Sequence, residues 1–319
     1  MALEKKLGPA TRDSYGKALA ELGKTHSNIV VLDGDLSKST KTDSFAKAFP
    51  ERFFNVGIAE ANMAGMAAGL ASSGKIPFIS SFACFIMCKA YDQLRMAVAF
   101  PELNVKVVAS HGGISVGEDG ASQQSIEDFA LALTLPNFVV VVPADDVSAR
   151  ALVPQMADHP GPAYMRTGRP KAPIIYPEGS KVTLGKGNLL REGKDLTIFA
   201  VGLLVFEALA AADELHKKGI EAAVCDLHTI KPIDRDLIKE QAQKTGAAVT
   251  CEEHQIYGGL GSVVARVISE EAPVPMEFVA IRDTYAESGD PNQLMDRYGL
   301  TAPNIVMACQ RVLKRKKKS

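Results

Sequence analysis

One carboxylate stands out by its surroundings. Between Phe53 and Ser81 only two side chains can carry charge, Lys75 and Glu60. Lys75 falls in a turn signal, Ser72-Ser73-Gly74-Lys75. Glu60 falls inside an apolar run, where β-prone Phe53–Ile58 gives way to a stretch of Ala, Gly, Met and Leu with helical spacing. An acid in the first turn of a helix has an ordinary use, because free N–H groups and the helix dipole favour it. Burying a carboxyl is nevertheless costly without a partner, and such acids cluster at working sites. No Lys or Arg lies within helical reach of Glu60, so a ligand is a candidate partner.

The second stretch with chemical content is Ser110–Asp128, SHGGISVGEDGASQQSIED. Its four glycines allow unusual backbone angles and close approach to a ligand. A loop this polar between an apolar strand and an apolar helix reads as a binding loop, with an ordinary solvated loop as the alternative. His111 within it, together with Arg166 and Arg169, would form a small cationic cluster suited to a phosphate, and Arg12 would be able to join it. Arginine fits phosphate because its planar fork donates two hydrogen bonds at once.

These residues need a scaffold that brings distant segments together. Residues 11–26 read as an amphipathic helix, followed by short runs rich in Val, Ile or Phe: Ile29–Leu32, Phe53–Ile58, Ile76–Phe82, Val105–Ala109, Val139–Val142 and Ala163–Arg166. Continuous apolar runs of this kind suit strands covered on both faces, Phe53–Ile58 among them. Helical runs lie between, including Ala59–Ser73 and Ala83–Phe100, so the pattern implies a parallel sheet flanked by helices. Polar or unusual residues follow each strand, and ligands of such sheets bind beyond the carboxyl ends. Polar loops follow strands in any case, so the pattern alone is only suggestive.

Residues 171–192 are rich in Pro, Gly and Lys and read as a linker with a hairpin leading onward. A second alternation then runs from Leu196 to the C-terminus, giving an α/β fold of two domains, 1–178 and 179–319. Gly258-Gly259-Leu260-Gly261 opens a helix after a strand; close packing or capping is favoured over an anion site, since the full dinucleotide fingerprint is missing. The five cysteines are odd in number and form no disulfide framework, and Cys84 and Cys88 read as small buried residues rather than a metal site. A net charge of −1 gives no nucleic-acid signal, and the basic run at 314–318, without interleaved aromatics, reads as a solvated end. No apolar run is long enough for a membrane span and the N-terminus lacks a signal-peptide core, so a cytoplasmic location is expected.

At these residues the chain resembles the transketolase family. NVGIAEANM is similar to the family segment that holds the catalytic glutamate, SSFACF to its cofactor-ring pocket, SHGGISVGEDG to its substrate loop, and YMRTGRP to its phosphate-binding arginine. ATRDSYGKAL and LDGDLSKST also match, and the likeness extends to about residue 312. It covers the pyrimidine-binding and C-terminal domains. A complete transketolase also has a diphosphate-binding domain with a Gly-Asp-Gly…Asn motif; here Asp33-Gly34-Asp35 has the wrong order and no Asn-Asn pair occurs. The chain starts directly before Ala10-Thr11-Arg12, so the resemblance is to the C-terminal subunit of a split transketolase.

That resemblance implies thiamine diphosphate as cofactor, with Mg2+ or Ca2+ held by the partner subunit. Glu60 would hydrogen-bond the aminopyrimidine and favour its imino form, which takes the proton from the thiazolium carbon. Phe82 and Phe85 would wall the pyrimidine, and Asp35 would lie near the thiazolium. Arg12, Ser39, His111 and Arg169 would hold the sugar phosphate and Asp119 a substrate hydroxyl. Gln123 stands where many transketolases have a histidine, as in animal-type enzymes; glutamine hydrogen-bonds but cannot shuttle a proton. The expected partners are a diphosphate-binding N-terminal subunit, a second copy of this chain within an α2β2 assembly, and sugar phosphates, with no nucleic acid or membrane. The helix Ala61–Ala71 is the candidate dimer seam, internal packing being its alternative. Competing readings are a subunit like deoxyxylulose-phosphate synthase or the β subunit of a 2-oxo-acid dehydrogenase, and a non-catalytic regulatory subunit of the same fold.

Overall fold

Twelve strands and their helices are described in a computed structural model covering residues 5–316. The strands are β1 (Ile29–Asp33), β2 (Phe53–Asn55), β3 (Ile76–Ser80), β4 (Lys106–Ala109), β5 (Val139–Val141), β6 (Ala163–Arg166), β7 (Asn188–Arg191), β8 (Leu196–Ala200), β9 (Ala222–Asp226), β10 (Thr229–Lys231), β11 (Ala248–Gln255) and β12 (Met276–Ile281). The first sheet has the order β10-β5-β6-β4-β3-β1-β2 and the second β12-β11-β8-β9-β7. Each is parallel except for one antiparallel edge, β10 on β5 and β7 on β9. Every residue of β1, β4, β5 and β6 is buried, as strands covered by helices on both faces require. Because β1 to β6 run parallel, the segments after them emerge along one edge of the sheet.

Several local expectations need correction. The run Phe53–Ile58 is not a buried strand: β2 covers only Phe53–Asn55 at the sheet edge, and its last two residues are exposed. Gly57, at φ +73°, turns the chain out of the strand. The expected single helix over Ala83–Phe100 is broken into Ala83–Lys89, Tyr91–Gln93 and a π-helical turn, Leu94–Ala99. No hairpin forms within 171–192; β7 instead pairs with β9 at the edge of the second sheet. The short strand β10, which composition did not reveal, lies between β9 and β11 in sequence yet joins the first sheet. It ties the two sheets together, and one hydrophobic cluster runs from Phe138 and Val142 into Phe199, Cys225 and Leu227.

The acceptor at the N-terminus of the Leu260–Glu271 helix is the chain's own: the Glu252 carboxyl group accepts from Leu260 N at 2.7 Å and Gly261 N at 2.8 Å. The basic run is folded as far as 316, contrary to the expected frayed end. Lys316 Nζ donates to the carbonyls of Asp195 (2.9 Å) and Thr245 (2.6 Å), and Arg315 pairs with Glu277 at 2.9 Å. Lys317 and Lys318 of that run lie outside the described residues. Cys84 is buried as expected, whereas Cys88 is exposed, with its Sγ 3.5 Å from Glu127 Oε1. Among the described residues no helix is long and apolar enough to cross a membrane.

Candidate active site

Glu60 is the first residue of the Glu60–Ser72 helix, at the carboxyl edge of the first sheet, and only 2% of it is exposed. Ser81, the residue after β3, donates its hydroxyl to Glu60 Oε1 at 3.0 Å. A cation does reach the carboxylate, from a separate helix: Lys89 Nζ stands 3.8 Å from Oε2. The same ammonium lies over the Phe85 ring, 4.4 Å from its centroid, and is itself half exposed. Phe82 and Phe85 are stacked with centroids 5.5 Å apart. A dry carboxyl group thus sits beside an aromatic pair, with a half-exposed lysine over the Phe85 ring.

The pairing of β3 with β4 continues past both strands through a Phe82–Ser110 bridge, with Ser110 N on Ser81 O at 3.1 Å and Ala83 N on Ser110 O at 2.8 Å. That register sets the His111 ring on Phe82, centroids 3.8 Å apart. His111 takes φ +59°, a left-handed conformation uncommon outside glycine and frequent at functional sites. Its Nδ1 lies 2.8 Å from Ser110 Oγ and its Nε2 3.4 Å from Arg12 Nη1. Burial, then the charges of Arg12 and Arg169, push its pKa down to about 3, so the imidazole is neutral at ordinary pH.

Arg12 comes from the first turn of the Thr11–Thr25 helix and donates to the Ser39 carbonyl at 3.0 Å. Ser39 therefore meets the cluster through its backbone. Gly168 N donates to Thr11 Oγ1 at 2.7 Å, which draws the segment after β6, and Arg169 with it, towards Arg12. Burial and the nearby Arg169 lower the Arg12 pKa, while Asp13 and Asp119 act in the opposite sense. Arg12 Nε is buried with no hydrogen-bond partner. Arg169 donates to the Val116 carbonyl and to Glu118 Oε2 at 2.7 Å, and this pairing lowers the exposed Glu118's pKa. Two guanidinium groups, those of Arg12 and Arg169, thus stand close enough for one to lower the other's pKa, a pairing that an anion would relieve.

Arg166 does not belong to this cluster. It ends β6 on the side facing the second sheet, where it is 5% exposed. Its Nε donates to Asp128 Oδ2 at 2.8 Å and its Nη1 to the Glu253 carbonyl at 2.7 Å, and the guanidinium stacks on Phe129 at 3.8 Å. Burial alone would raise the Asp128 pKa; the charge and hydrogen bonds of Arg166 bring it below the usual value. The pair is structural, and the in-strand position of Arg166, against the loop position of Arg169, is the reason.

The remaining candidates lie at the periphery. Asp35 is exposed at φ +65° and accepts from Asn55 Nδ2 at 2.8 Å. The preceding Asp33 is wholly buried and holds the turn through Leu36 N, Thr40 and Thr42 at 2.6 to 2.8 Å. Asp119 is exposed at the rim, near Arg12 in charge. Gln123 is half-buried, its Oε1 taken by the Ser122 hydroxyl at 2.5 Å and its carbonyl by Cys84 Sγ at 3.3 Å. Sequence reasoning passed over Ser81 and Lys89. The signal for Lys89 was its i,i+4 spacing from Phe85 on a helix.

Comparison with known proteins agrees with this architecture. The family model of the transketolase pyrimidine-binding domain matches residues 8–174, and that of the transketolase C-terminal domain residues 185–305. The chain belongs to the transketolase family, as its pyrimidine-binding and C-terminal domains. It is 46% identical to a transketolase C-terminal section from Methanocaldococcus jannaschii, over 96% of each chain. It is 44% identical to a Clostridium protein named 6-deoxy-6-sulfo-D-fructose transketolase subunit SqwH, over 96% of this chain and 95% of that one. Among solved structures, one described as a split gene transketolase, inactive beta4 tetramer, superposes with a TM-score of 0.91 at 51% identity, covering 97% of this chain and 100% of the other.

Proposed function

We propose that this chain is the C-terminal subunit of a thiamine-diphosphate-dependent transketolase. Together with a separate N-terminal subunit it transfers a two-carbon ketol unit between phosphorylated ketose and aldose sugars. The observation that carries the reading is the continuous line from Glu60 through Lys89, Phe85, Phe82 and His111 to Arg12, each contact between 3.4 and 5.5 Å. A buried carboxylate beside stacked rings fits an aminopyrimidine, and the neighbouring guanidinium groups of Arg12 and Arg169 fit a sugar phosphate.

When bound, thiamine diphosphate supplies the carbanion chemistry, and the protein supplies position and electrostatics. Glu60 would accept a hydrogen bond from the ring, and Ser81 holds its Oε1. Lys89 must swing off Phe85 to admit the ring, and its half-exposed stem permits this. His111, neutral, offers one ring nitrogen to substrate while Ser110 holds the other. Arg169 exchanges Glu118 for phosphate. Asp119 would serve a substrate hydroxyl, Gln123 would add a further hydrogen bond, and Asp35 would serve the thiazolium end of the cofactor. Mg2+ or Ca2+ and the diphosphate belong to the partner, so this chain alone binds the cofactor weakly; tight magnesium-dependent binding in calorimetry would contradict that.

The decisive assay mixes the chain with its N-terminal subunit and follows ketol transfer from xylulose 5-phosphate. Glu60→Gln should leave fold and association intact and abolish turnover. Full turnover by that variant would remove Glu60 from the mechanism, and an inactive native complex would favour a regulatory subunit. The likeness to the sulfosugar transketolase subunit favours a second donor class, since two guanidinium groups accept a sulfonate as they do a phosphate. Running 6-deoxy-6-sulfofructose in the same assay separates the two.

The Glu60–Ser72 helix packs Met63, Ala64, Ala67 and Ala68 inward and leaves Gly65 and Gly69 open, with nothing within 4 Å of a Cβ at either. Two interior glycines on an exposed helix face cost about 1 kcal/mol each relative to alanine, which close approach of another backbone would offset. Met66, Met96, Ile58 and Phe100 are also exposed. This face is the seam we assign to a second copy of the chain, in keeping with the tetramer described for the split-gene relative.

A further inference from the structure

Resting on the anion-site reading above, we propose that Glu253, on the second sheet, is a positioning residue for the loop that carries His111 and braces Arg169. The C-terminal domain thereby sets the geometry of a site built by the other domain. Glu253 lies near the carboxyl end of β11 and is 6% exposed. Its Oε1 accepts the backbone N–H of Ser115 at 2.5 Å, and its own carbonyl is held by Arg166 Nη1 at 2.7 Å. The carboxylate fills the space above Gly113: at φ +83°, a Cβ there would come within 2.2 Å of Glu253 Cδ.

The anchored segment has two functional ends. Four residues before Ser115, His111 is held at φ +59° with its ring on Phe82. One residue after Ser115, the Val116 carbonyl accepts from Arg169. The far limb of the loop rests on the same domain, through Gln124 Nε2 on the Glu287 carbonyl (3.1 Å) and Ser288 Oγ on the Glu118 carbonyl (2.5 Å). A left-handed histidine relaxes to an ordinary φ unless its flanks are fixed. Within 112–116 the contact from the second sheet that meets the backbone is Glu253 on Ser115 N.

The test uses the position of the His111 ring. Stacked on Phe82, its Hε1 proton should resonate upfield of a free imidazole in the NMR spectrum of the whole chain. Glu253→Met fills the same volume without an acceptor and should move that signal towards the free value; Glu253→Gln, whose Oε1 still accepts from Ser115, should leave it in place. In the complex with the N-terminal subunit, Glu253→Met should raise KM for a phosphorylated donor about tenfold while kcat for hydroxypyruvate, which has no phosphate, stays within about twofold. An unmoved His111 signal in folded Glu253→Met overturns the proposal, as does an equal displacement in Glu253→Gln. If Glu253→Met fails to fold while Glu253→Gln folds, Glu253 is a fold determinant and the proposal also falls. Inorganic phosphate titrated into the native chain reads the anion site separately: a His111 signal that ignores phosphate refutes that site and leaves the ring-position arm to decide the role of Glu253.

Discussion

His111 owes its neutrality to burial first and to two guanidinium groups second. Arg12→Ala should therefore raise the His111 pKa from about 3 without restoring the ordinary value near 6.5. An NMR titration of the imidazole checks this, and an unchanged pKa would separate Arg12 from the site. Asp226 gives a prediction of the opposite sign. Its carboxyl is wholly buried, accepts from Tyr176 Oη at 2.7 Å, and leaves Oδ1 unpartnered. Burial pushes its pKa up to about 7. The unfolded chain ionises it near 4, at about 3.9. Across that window the folded state keeps a proton that the unfolded state has shed, so stability falls as pH rises and levels off above 7. Asp226→Asn stays neutral and keeps an oxygen for Tyr176. Its melting temperature should gain on the native chain between pH 4 and pH 8; a constant gap in thermal melts would refute the assignment.

At the scale of elements, the two sheets are joined by polar contacts as well as by apolar packing. Arg166 at the end of β6, Asp128 at the start of the Asp128–Thr134 helix and Glu253 on β11 form one buried network. Arg166→Met leaves Asp128 buried without its cation, a loss that commonly costs about 3–5 kcal/mol. Chemical denaturation should show a loss of that order; an unchanged midpoint would mean that the pair is not structural. The C-terminal helix Ala302–Lys316 is fixed within the second domain, where Lys316 clasps the carbonyls of Asp195, just before β8, and of Thr245, at the end of the Arg235–Thr245 helix.

For the whole molecule, the edge that gathers Glu60, His111, Arg12 and Arg169 lies beside the open face of the Glu60–Ser72 helix. Met66→Asp places a charge on that face and should shift the assembly to a smaller species in sedimentation velocity, with the far-ultraviolet spectrum unchanged. An unaltered mass would remove the helix from the seam.

Alternation of apolar strands with helices, and the lone acid at position 60, were legible in the residues because periodicity and charge are local properties. The Leu260–Glu271 helix starts where Gly258-Gly259-Leu260-Gly261 marks it, because that glycine-rich signal is local. What neighbours in sequence cannot encode is which strand face looks inward and which chain segment arrives from elsewhere. Only the tertiary structure turned Arg166 away from the anion cluster, carried Lys89 to Glu60 and sent β10 back to the first sheet. It also set the Glu253 side chain from the second sheet against Gly113. The reason is geometric: side-chain direction on a strand, and meetings between residues far apart in the chain, 138 positions for Ser115 and Glu253, are set by sheet order and packing.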